Sequence, residues 1–126
     1  MLKSILASAL IATTPLAAFA HGTAPAAAHG GQVVEDSSEN WVELVIKGDR
    51  LAVYVLDEAK APVPSAKLAG KATVLVGGKS QSVALVAADA NSLVGKLDPA
   101  ATGKVTAVLS LSVGGKPTQA RIAVQQ

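Results

Sequence analysis

The sequence predicts an all-β domain: a small immunoglobulin-like antiparallel sandwich of seven or eight strands. Three observations carry that reading. Apolar and polar residues alternate with period two through several short stretches, the mark of half-buried strands. Two copies of "VGGK" separate such stretches, and Gly-Gly supplies the positive φ angles a tight hairpin needs. Turn residues recur at roughly the 8–12-residue spacing of small sandwiches. A small closed barrel is the alternative arrangement of the same strands.

The elements follow in order. Residues 21–31, "HGTAPAAAHGG", carry almost no bulky side chain and read as a flexible arm, with the folded domain spanning 32–126. "WVELVIK" (41–47) places Val42, Leu44 and Ile46 on the core face and Glu43 and Lys47 on the other. "RLAVYVLD" (50–57) turns Leu51, Val53 and Val55 inward, and Gly48-Asp49 between the two stretches marks a hairpin. Pro62 and Pro64 bar a regular helix from 58–70, which reads as a turn with a short extended piece around Val63. "TVLVGGKSQSVAL" (73–85) and "LSLSVGGKPTQARIAV" (109–124) are the two Gly-Gly hairpins. Leu93 and Leu97 mark a short strand, Asp98-Pro99 opens a turn, and Val105, Ala107, Leu109, Leu111 and Val113 line one face of a long strand. Trp41 and Tyr54 are expected to plug the core, since buried aromatics dominate core packing.

Residues 1–20 read as a secretory signal. Lys3 precedes an uncharged apolar run, and Ala18-Phe19-Ala20 presents small residues at the positions a signal peptidase inspects. An uncleaved anchor is the rival reading. Cleavage after Ala20 leaves 106 of the 126 residues, with ten basic and nine acidic side chains, and fits an exported, periplasmic protein. No Lys/Arg cluster with stacking aromatics points to nucleic acid, and no membrane role is expected of the mature chain. The absence of cysteine excludes disulfides, thiol chemistry, iron–sulfur clusters and thiolate zinc sites.

No catalytic constellation is evident. The only histidines, His21 and His29, lie in or beside the arm, the "VGGK" glycines join strands rather than opening a helix, and Asp57-Glu58 sits in a turn. The chain is read as a non-enzyme. The remaining chemistry is metal binding. With cleavage after Ala20, His21 becomes the terminal residue, and its α-amine and imidazole can chelate one ion. An α-amine of ordinary pKa near 7.7–8.0 is partly deprotonated at neutral pH. His29 offers a second imidazole, and nitrogen donors of this kind suit Cu(II), Ni(II) and Zn(II). Glu35, Asp36 and Glu39 are close enough in sequence to add oxygen ligands.

His29-Gly30-Gly31 before the first strand, then "VELV" (42–45), "LAVYVLD" (51–57) and "TVLVGGK" (73–79), resemble a group of small periplasmic proteins and N-terminal domains associated with heavy-metal efflux adaptors of the RND type. The resemblance covers roughly residues 28–126. It implies a periplasmic β-sandwich that handles copper, zinc, cobalt or nickel beside an efflux component, with His29 carried over as the ligand. Two function classes are thus open. One is an exported accessory protein that binds copper or zinc through His21 and His29. The other is a structural or interaction module, without a metal role, whose sandwich edge pairs with another protein. The reading of the leader predicts that mass spectrometry of the exported protein finds a mature terminus at His21; any other terminus removes the amine chelate.

Overall fold

The computed structural model describes residues 22–126. The expected leader, 1–20, and His21 lie outside the described residues.

Alternation of apolar residues organises everything that follows. Eight antiparallel strands form: β1 (Gln32–Glu35), β2 (Trp41–Lys47), β3 (Arg50–Leu56), β4 (Leu68–Val76), β5 (Lys79–Ala88), β6 (Ser92–Lys96), β7 (Lys104–Val113) and β8 (Lys116–Gln125). The only helical piece among the described residues is one 3-10 turn at Ser65–Lys67, after the two prolines. The fold is all-β, as expected. β2 begins and ends where the alternation does, and the Gly77-Gly78 and Gly114-Gly115 hairpins have positive φ at both glycines.

The strands join into one sheet in the order β1-β2-β3-β6-β5-β4-β7-β8. β5 turns the corner: residues 79–85 pair with β4, whereas Val86, Ala87 and Ala88 pair with β6. The sheet curls until its two ends meet. There the Ser37 amide donates to the Gln119 carbonyl (2.9 Å), the Gln119 amide donates to Ser37 Oγ (3.0 Å), and Ser37 Oγ meets Thr118 Oγ1 (3.0 Å). A sandwich and a nearly closed barrel, the two arrangements the sequence left open, are therefore one object here, with two layers sharing β5.

The inward faces fill with Val, Leu, Ile and Ala, and the core cluster contains no aromatic ring. Val42, Leu44, Leu51, Val53, Leu93, Val105 and Leu109 are wholly buried. Each such side chain is worth about 1.5–3 kcal/mol of transfer free energy. Trp41 is buried as expected and Tyr54 is half-buried, but neither joins the core cluster between the layers: both lie on the outward face, because their positions carry the opposite parity to Val42 and Val53. β4 also begins earlier than the alternation suggests, at Leu68. Its first residues are drafted by register with β7, where Leu68 faces Val113 and Gly70 faces Leu111. Gly70 permits that approach, since a Cβ there would stand 2.5 Å from the Ser110 carbonyl oxygen.

Gly95 shows how tightly the layers meet. It pairs with Leu51, and a Cβ at this inward position would lie 2.5 Å from Val83 Cγ1 and 3.1 Å from Leu85 Cδ2. Gly95→Val is expected to destabilise the domain by about 1–3 kcal/mol through overpacking. Urea unfolding checks it, and an unchanged midpoint would refute so close a contact.

Candidate functional site

The outward face of β2 should be wet, yet Glu43 is only 6% exposed. The arm covers it. Pro25, Ala26 and Ala28 face Trp41 and Leu56 across a cavity of about 40 Å³, and the chain then turns over β2 through His29, Gly30 and Gly31. Gly30 adopts φ 75°, and Gly31 runs so close to the Leu44 carbonyl that any side chain would collide with it. The His-Gly-Gly sequence thus has a steric meaning: one glycine turns the chain and the other lets it touch the sheet.

The Glu43 carboxylate ties the arm down. Its Oε2 accepts from the His29 amide (2.9 Å) and the Gly31 amide (2.9 Å), and its Oε1 meets His29 Nδ1 at 2.8 Å. Burial works to raise the pKa of Glu43. The hydrogen bond from the His29 ring, those from the Gly31 and His29 amides, and the charge of the imidazole outweigh it and hold the carboxyl below its ordinary value. Glu43 is therefore ionised at neutral pH, and a carboxylate only accepts. Nδ1 of His29 must then carry the proton of that bond, which places the lone pair of the neutral ring on Nε2.

The His29 ring is also held in plane. It stacks on Tyr54 with centroids 3.5 Å apart and planes 6° apart. Tyr54 is the direct cross-strand neighbour of Glu43, so adjacent strands present the base and the side of a single seat for the imidazole. The His29 side chain remains 39% exposed. The segment expected to be a loose arm through Gly31 is anchored at this end by side-chain contacts.

His29 is placed as described, and His21 is outside the described residues. Among the described residues, no group of three His, Asp or Glu side chains is positioned to hold a metal. Asp36 is committed to its own turn, accepting from the Ser38 and Asn40 amides (2.8 and 2.9 Å) and from Asn40 Nδ2 (3.0 Å). Asp57 likewise caps its turn through the Ala59 and Ala61 amides. Glu43 and Tyr54 are the partners that sequence reasoning missed. Alternation places Glu43 and Tyr54 on the outward face of the hairpin, and nothing local in the sequence says that the arm returns over them. No protein-family model, curated protein or solved structure matches this chain. No helix among the described residues is long and apolar enough to cross a membrane.

Because the Glu43 pKa is depressed in the fold, its stabilisation is complete above the ordinary glutamate value of about 4.3 and is lost as the pH falls through the lower folded value. Glu43→Gln is expected to cost about 1–3 kcal/mol at neutral pH, a loss that shrinks as the parent is acidified below about pH 4. Urea unfolding of both proteins at pH 7 and pH 3 measures this; a pH-independent difference would contradict it.

Proposed function

We propose that the protein is an exported, non-enzymatic accessory of the periplasm. It binds a divalent transition metal, copper or zinc, through His29 and His21, and buffers the ion or presents it to an efflux component. The observation that carries this reading is the Glu43–His29 hydrogen bond. Metal-bound imidazoles characteristically donate their second ring N–H to a carboxylate, which sets the tautomer and raises the basicity of the ligating nitrogen. Here Glu43 and Tyr54 orient the ring and leave Nε2 as the electron-pair donor.

The described residues supply one such ligand, not a complete set. Completion rests on His21, eight positions upstream, whose imidazole and amine, once freed by cleavage after Ala20, add two nitrogens. Binding would be linked to protons, since the amine must lose one. Copper or zinc supplies no catalysis in this reading; the ion is cargo.

Titration of the protein lacking residues 1–20 with Cu(II) and Zn(II), followed by calorimetry, tests the proposal. Micromolar or tighter binding is expected, lost in His21→Ala and in His29→Ala and weakened about 10- to 100-fold in Glu43→Gln. Binding that survives His29→Ala unchanged would overturn it.

A further inference from the structure

The same outward face carries a second feature, at the opposite end from the imidazole seat. Lys47 pairs directly with Arg50, and Arg50 pairs directly with Lys96. Three exposed cations thus stand in one row across β2, β3 and β6. Like charges directly opposite one another destabilise a sheet. None of the three forms an ion pair among the described residues, although Asp49 and Asp89 lie along the same surface.

The next row is apolar. Val45 pairs with Ala52, Ala52 with Val94, and Val94 with Val86, which is 60% exposed. The rows border two adjoining shallow hollows of about 470 and 380 Å³ that share Arg50 and Val94, and His29 and Tyr54 line the smaller one. At about 4.8 Å between strands, the cation row extends roughly 10 Å and the apolar row roughly 14 Å. The apolar strip lies along shallow, open hollows between the cations and the imidazole seat, so a chain laid across it can set carboxylates on the cation row and apolar side chains on the strip. The Tyr54 ring beside the hollows already carries the His29 ring stacked on it.

We infer that this face docks an extended acidic segment of a partner protein, with carboxylates along Lys47, Arg50 and Lys96 and small apolar side chains on the Val45–Ala52–Val94–Val86 strip. Complementary charge removes a repulsion that the free protein carries and steers the encounter. The inference does not depend on metal binding at His29.

Fluorescence anisotropy tests it, using protein purified from cells expressing the full chain, in low salt with a chelator present. The probes are labelled ten-residue peptides of alternating Glu and Val or alternating Lys and Val. The Glu peptide is expected to bind at least about tenfold tighter than the Lys peptide and to weaken steeply with added salt. The triple variant K47E/R50E/K96E is expected to reverse that preference. The single variant Arg50→Glu places an acid between two lysines, so it should raise the thermal midpoint while weakening the Glu peptide, which separates loss of docking from loss of fold. Equal affinity for the two peptides, an unaltered preference in both charge variants, or binding of a single-stranded oligonucleotide or anionic phosphatidylglycerol vesicles as tight as that of the Glu peptide would overturn the proposal.

Discussion

A single carboxylate sets the character of the outer surface. Glu43 sits on the side of β2 that alternation assigns to water, and it is buried because three donors from the preceding chain converge on it. Remove that charge and two backbone amides and one ring nitrogen lose their acceptor together. With it, the arm crosses the hairpin of β2 and β3, Trp41 is covered, and the imidazole of His29 acquires a fixed tautomer and plane. Desolvation opposes the charged form, and the three hydrogen bonds overcome it. That balance is what makes the arm part of the domain.

The consequence is a face with two unlike ends. Over Glu43 and Tyr54 the sheet is roofed, its polar groups are satisfied, and one ring nitrogen is left with donor character. Four residues along β3, at Arg50, the sheet is exposed among the described residues, and charges of one sign stand side by side. The strip between them is apolar, formed by Val45, Ala52, Val94 and the exposed Val86. The inner face, by contrast, has no such asymmetry. It is packed from end to end with aliphatic groups and tolerates a glycine at Gly95 only because Val83 and Leu85 occupy the space a side chain would take.

Much of the fold was legible because a strand's period is local. Val42, Leu44 and Ile46 declare the core side of β2 without reference to any other strand, and Gly77-Gly78 and Gly114-Gly115 declare their own turns. The early part of β4 was not legible, since Leu68 to Gly70 are recruited by β7 across some forty residues of sequence. The aromatics misled for a related reason. Their size argues for burial, and Trp41 is buried, but beneath the arm rather than between the layers. The site was half legible: His29 stood out as one of two histidines, whereas Glu43 looked like any solvent-facing charge.

The sequence by itself determined the all-β class, the parity of each main strand, the positions of the hairpins, and the absence of thiol chemistry, because each depends on residues within a few positions of one another. Only the tertiary structure decided that the sheet closes through β5 and the Ser37–Gln119 contacts, that Glu43 grips His29, and that Lys47, Arg50 and Lys96 share a row. Those are relations of register and long-range approach, and a period-two pattern carries no information about which strand will lie beside which.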